Sequence, residues 1–209
     1  MKKGLFAAFL IALCTNAEAS LIFGNSVTAP YQNGSNFGTK AVGFLTGASA
    51  LLLDDIQVAL GGHDSSGGTL TFTLNADASG VPGSFIATIG TSPTIAGFGP
   101  TAAYTLTPAA PLLLAANTTY WIEVAFPAGA PPAWDRTNPQ IAPSSGLATF
   151  IGYAIDSGTG FSPSTTFNAI IVEGRAIAAA VPEPETYAMM LVGLSLLGFI
   201  ARRRKQPAA

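Results

Sequence analysis

From Ser20 to Val181 the chain has no cysteine, one histidine, His63, and only three cations, Lys40, Arg136 and Arg175. The sole cysteine, Cys14, sits in an N-terminal segment built like an export signal, so a mature protein without it has no thiol or disulfide chemistry. A chain of about 160 residues can still bury one sizeable core without covalent staples. Three scattered cations cannot assemble the basic patch that displaces counterions from a phosphate backbone, which excludes nucleic acid as a partner. Against them stand Asp54, Asp55, Asp64, Asp77, Glu123, Asp135, Asp156 and Glu173, so three minus eight leaves a net charge of −5. Lysine and glutamate, the solvating residues of surface helices, are scarce, and few amphipathic helices are expected. One histidine without cysteines does not supply a zinc site. No Gly-x-Ser-x-Gly elbow offers a nucleophile to His63, which lies in a glycine-rich turn beside Asp64. With no constellation for catalysis, the expectation is a protein that is not an enzyme and carries no cofactor.

What is present begins at the N-terminus. Lys2 and Lys3 precede an apolar run from Leu5 to Cys14, and Ala17 and Ala19 put small residues where signal peptidase inspects its substrate. Residues 1–19 are therefore expected to be a secretory signal peptide cleaved after Ala19, with signal peptidase as the first partner. Lipidation at Cys14 is the competing reading, and the bulky Leu13 directly before the cysteine fits it poorly.

Residues 20–178 alternate. Thr69-Leu70-Thr71-Phe72-Thr73-Leu74 exchanges hydroxyl and apolar side chains with the period of two that marks a half-buried strand. Similar runs recur at Val42 to Thr46, Leu51 to Leu60, Ser84 to Ile89, Ala102 to Thr107, Thr119 to Phe126, Leu147 to Ile155 and Phe167 to Ala178. Gly, Ser, Asp and Pro clusters separate them, including a Pro-rich stretch from Pro127 to Pro143. The fold class this predicts is all-β: a single antiparallel β-sandwich or jelly-roll-like domain.

Within that domain, Tyr120 and Trp121 must project to opposite faces of one strand, with Tyr120 expected in the core and Trp121 under a loop or at a rim. Asn75-Ala-Asp77-Ala-Ser79-Gly80 spaces oxygens like the start of a calcium loop, but Ile86 stands where a bidentate glutamate belongs, so a hairpin tip is the expected form. The pair Asp54-Asp55 is expected at an edge or turn. Trp121 and Trp134, with Tyr104 and Tyr153, offer stacking faces to a sugar if they reach the surface; otherwise they fill the core. Eight dispersed acids permit a glycosidase pair without indicating one.

The end of the chain is the most informative part. Val181-Pro182-Glu183-Pro184 holds an extended step, since each proline fixes its own φ and pushes the residue before it out of the helical region. Sixteen uncharged residues, 186–201, follow as an expected membrane-spanning helix of about 24 Å. Arg202, Arg203, Arg204 and Lys205 come next, a cluster that retains its end on the cytoplasmic side and reaches toward headgroups to cover a short span. A membrane stop with a rigid handle outside it is the layout of a C-terminal sorting signal.

Motif, apolar run and basic cluster, in that order over residues 179–209, resemble the PEP-CTERM sorting signal of Gram-negative bacteria. The resemblance implies recognition by a membrane-embedded exosortase, with Pro182, Glu183 and Pro184 as the recognition core, loss of a transiently inserted tail, and export to the cell surface or extracellular matrix beside exopolysaccharide. An uncleaved membrane anchor is the plainer alternative. Asp77-Ala-Ser-Gly80-Val-Pro82-Gly83-Ser84 and Leu114-Ala-Ala-Asn117-Thr-Thr-Tyr120-Trp121-Ile122, with Trp134 downstream, are similar to the choice-of-anchor R type of domain, which implies an exported β-rich module and no particular activity. The function expected is thus structural display at the surface or in the matrix, with a carbohydrate-binding module as the alternative.

Overall fold

The computed structural model describes residues 19–35, 38–63, 65, 67–126, 132–177 and 188–197. The chain divides into a unit ending at Ile177 and a second beginning at Ala178.

The first unit is two antiparallel sheets. Strands β1 (Ser20–Gly24), β2 (Tyr31–Ser35), β3 (Thr39–Thr46), β4 (Leu51–Gly61), β5 (Thr71–Asp77), β6 (Pro82–Thr91) and β7 (Ala102–Leu106) are followed by β8 (Leu112–Leu114), β9 (Thr119–Ala125), β10 (Ala133–Thr137), β11 (Ser144–Ser145), β12 (Ala148–Asp156), β13 (Phe161–Ser164) and β14 (Ile170–Ala176). One sheet runs β11-β1-β14-β4-β10-β2, with β7 and β8 also paired to β4; the other runs β13-β12-β3-β9-β5-β6. This is the all-β sandwich that the alternation predicts, and each of the eight expected runs overlaps a strand.

Alternation decides what each sheet buries. Val42 and Phe44 of β3, Phe72 and Leu74 of β5, and Tyr120, Ile122 and Val124 of β9 meet Ile22, Phe23, Leu53, Ile56, Val58, Ile170 and Val172 of the facing sheet in one core. Rings fill its centre: Phe23 stacks on Phe44 with centroids 4.9 Å apart, and Phe72 meets Trp134 edge-on at 5.3 Å.

Two local devices keep apolar residues inward. In β4 the buried positions change parity, from Leu51 and Leu53 to Ile56, Val58 and Leu60. The register against β14 shifts there, since Glu173 faces Asp55 while Gly174 faces Leu53. Asp54 is the extra residue of this bulge, so the pair Asp54-Asp55 lies inside the central strand, not at the edge or turn that composition suggests. In β12 the register shifts between Phe150 and Gly152, which turns Ile151 outward while Phe150 and Tyr153 stay with the core.

In the second unit, residues 188–197 form a helix, α1, whose side chains are all exposed within that unit. Ten residues extend about 15 Å. No helix among the described residues is long and apolar enough to cross a membrane; the ends of the expected 186–201 helix lie outside them.

Candidate functional site

Three polar constellations stand out in the sandwich, and each shows what its residues can do. The first gathers around Asp135 on β10, which is fully buried. Its carboxylate accepts hydrogen bonds from the Gly34 amide at 2.7 Å and the Thr101 hydroxyl at 2.6 Å, and it lies 2.7 and 2.9 Å from Nε2 of His63. A Cβ at Gly61 would stand 2.5 Å from Thr101 Oγ1 and 2.6 Å from Asp135 Oδ2, so only glycine lets β4 pass this close. The sequence set His63 beside Asp64; the fold gives its ring to Asp135, 72 residues away. Among the described residues no hydroxyl bonds the His63 ring, and Thr101 donates to the carboxylate. The constellation ties β2, β10, the end of β4 and the loop before β7 together.

The second lies on the outer face of the β3-β9-β5 sheet. Trp121 packs with Ala41, Ala154 and Phe161, apart from the main core that holds Tyr120. Its ring sits over Gly43, where a Cβ would come within 2.9 Å of Cη2. Its Nε1 donates to Asp77 Oδ1 at 2.8 Å, and the same carboxylate accepts from the Gly80 amide at 3.1 Å in the β5-β6 turn. Tyr120 in the core and Trp121 beneath a turn is the arrangement expected of consecutive strand residues. Asn75 donates to Glu123 Oε2 at 2.7 Å and accepts from the Thr73 hydroxyl at 3.0 Å. The oxygens that resembled a calcium loop therefore build a hairpin. Burial and the nearby Asp156 raise the pKa of Glu123 above the ordinary carboxylate value.

The stacking faces proposed for sugar are corrected by the same geometry. Trp134 is 0% exposed, wedged between Phe72 and Tyr153, with Nε1 donating to the Ala169 carbonyl at 2.9 Å. Trp121 and Tyr153 are buried as well, and Tyr104 packs partly buried against the core. An indole closed on both faces cannot take a pyranose ring. The cleft beside Trp121 has a volume of about 200 Å³ and is lined by Val81, Ile151, Pro163, Ser164, Phe167 and others, none charged; typical ligand pockets begin near 300 Å³.

The third constellation is Lys40, 1% exposed on the inward face of β3 beside Val42 and Phe44. Its ammonium lies 5.8 Å from the Tyr153 ring centroid and has no hydrogen-bond or ion-pair partner among the described residues. Burial, with the Arg136 guanidinium nearby, lowers its pKa from 10.5 to about 8. On the other sheet Arg175 pairs with Asp54 at 2.9 Å, while burial and the neighbouring Glu173 and Asp54 raise the pKa of Asp55.

Of the residues assigned to processing, Ala19 is exposed and directly precedes β1, so the expected signal cut falls at the edge of the sandwich. Ala17, the motif Val181, Pro182, Glu183 and Pro184, and the cluster Arg202, Arg203, Arg204 and Lys205 lie outside the described residues. Only α1, between motif and cluster, is described.

Residues 180–205 match the family model of the PEP-CTERM protein-sorting motif. The match covers the proline step, the apolar run and the arginines, and it includes none of the sandwich. No curated protein matches the chain. The chain carries a PEP-CTERM sorting signal, which marks it as an exported, exosortase-targeted protein of the cell surface or extracellular space.

Proposed function

We propose that the sandwich is a non-catalytic display module of a Gram-negative bacterium, released from its membrane tail by exosortase after signal peptidase has removed residues 1–19, and held in the exopolysaccharide as a structural protein of the surface or matrix. The observation that carries this reading is the sorting motif at 180–205, placed directly after a self-contained β-domain. Two features of the domain support the structural part. Its one histidine and its buried aspartate satisfy each other in a pin, and its tryptophans are closed off as packing. A carbohydrate-binding module acting by aromatic stacking loses both of its named faces by that packing.

Fractionation of producing cells tests the proposal. The protein should be found in the extracellular polysaccharide fraction, and enzymatic digestion of the polysaccharide should release it to the soluble medium at the size of the processed domain. Recovery in the soluble medium before digestion would remove the matrix role while leaving the sorting signal unaffected.

A further inference from the structure

Lys40 is the one lysine between Ser20 and Val181, and the fold buries it on the inward face of β3, 1% exposed. A buried ammonium ordinarily meets a carboxylate or several carbonyls. Lys40 meets neither among the described residues, where ion pairs join His63 to Asp135 and Arg175 to Asp54. What faces it is the Tyr153 ring of β12, 5.8 Å away, and a second cation, Arg136 of β10. Alternation places Arg136 on the same face as Trp134, two residues earlier, and the Trp134 ring packs on that same Tyr153 at 5.9 Å. The guanidinium is itself only partly satisfied. Nη1 donates to Gln140 Oε1 at 3.3 Å, while Nε is buried and has no partner.

Two positive groups therefore share one end of the core, with no anion between them among the described residues. Their repulsion is poorly screened there. A single negative group placed between them would relieve both. A dissolved anion must shed its water to reach a nitrogen this deeply buried. Carbon dioxide enters uncharged and becomes an anion in place.

We propose that Lys40 is a modification site for carbon dioxide, its Nζ carrying a carbamate whose carboxylate pairs with the Arg136 guanidinium. The neutral amine attacks the carbon with its lone pair. An N–C bond forms, the electron pair of one C=O bond moves onto oxygen, and the nitrogen gives one proton to solvent. Amine and carbon dioxide thus yield carbamate and a proton, with no oxidant, reductant or leaving group. The repelling pair becomes an attracting one, and the new carboxylate offers an acceptor to the buried Nε. Burial, with Arg136 beside it, lowers the Lys40 pKa to about 8, which supplies the free amine that the step consumes. In buffer free of carbon dioxide, Lys40 carries the unrelieved ammonium.

Carbon NMR of the protein as its producer exports it, in isotopically labelled bicarbonate at pH 8, tests the proposal. The expected result is a carbamate resonance that disappears in Lys40→Met. Arg136→Gln should reduce it about tenfold or more, since the charge that holds the carboxylate is gone. Any adduct on the chain's N-terminal amine persists in both variants and so identifies itself. Bicarbonate should also raise the denaturation midpoint of the parent above its value in chloride of equal ionic strength, and leave that of Lys40→Met unchanged, because the adduct forms on the folded chain. The absence of a Lys40-dependent resonance, or one that Arg136→Gln leaves at full strength, would overturn it.

Discussion

Replacing Trp134 by alanine should lower the stability of the sandwich by about 3–5 kcal/mol, the range for deleting a fully buried aromatic. The indole is 0% exposed and lies edge-on to Phe72 at 5.3 Å and tilted to Tyr153 at 5.9 Å. Its loss would open a cavity between the sheets and leave the Ala169 carbonyl without its donor. A total stability of 5–15 kcal/mol is ordinary for one domain, so much of the folded population would be at risk. Denaturant unfolding of Trp134→Ala beside the parent checks this. Phe would be the milder change, keeping most of the volume while forfeiting the hydrogen bond. A loss under about 1 kcal/mol would show that the indole does not serve as packing. Loss of polysaccharide retention in Trp134→Ala would report unfolding before it reported a binding face.

Lys40→Met should act in the opposite direction and stabilise the domain at pH 7 by about 1–3 kcal/mol, because a buried ammonium with no hydrogen-bond or ion-pair partner among the described residues is exchanged for an apolar chain of similar length. The sign of the pH dependence follows from the direction of the shift. The folded pKa, about 8, lies below the ordinary 10.5. Below pH 8 both states hold the proton, and the cost of burying the ammonium is fully present. Between pH 8 and 10.5 the unfolded chain holds a proton that the folded chain has shed, so stability rises with pH. The parent should therefore gain on Lys40→Met across that window, and the difference between them should shrink. Paired urea titrations at pH 7 and pH 10 measure it. A constant difference at the two pH values would mean that Lys40 holds its proton as tightly in the fold as in the unfolded chain.

The legible part of the fold was the part governed by nearest neighbours. β5 announces itself because Thr71-Phe72-Thr73-Leu74 alternates hydroxyl and apolar side chains, and β9 because β-branched and aromatic residues crowd Thr119 to Val124. β10 does not. It lies within the Pro-rich stretch that composition marks as a turn cluster, and its Asp135 is buried, a position that is affordable only because Gly34, Thr101 and His63 converge on it from 101, 34 and 72 residues away. No local pattern encodes that convergence. The Asp54 bulge was hidden for a related reason, since one inserted residue exchanges inward and outward positions and can be seen only against β14.

The candidate site divides the same way. Trp121 and Tyr120 were separable by parity alone, but whether an outward indole is open or roofed depends on where the β5-β6 turn lands, and Asp77 brings it down onto the ring. Lys40 shares the parity of Val42 and Phe44, so its inward position was written in the register. The sorting signal needs no tertiary information: its order of rigid step, apolar run and arginines is itself what the processing machinery meets, and it is matched over 180–205.

Intact-mass analysis of the protein recovered outside producing cells is the most direct measurement of the account. The predicted species begins at Ser20 and lacks the apolar run and the Arg202–Lys205 cluster, while a Pro182→Ala/Pro184→Ala variant keeps both and stays with the membrane fraction. A secreted parent that still carries residues 186–209, in cells whose exosortase is active, would contradict it.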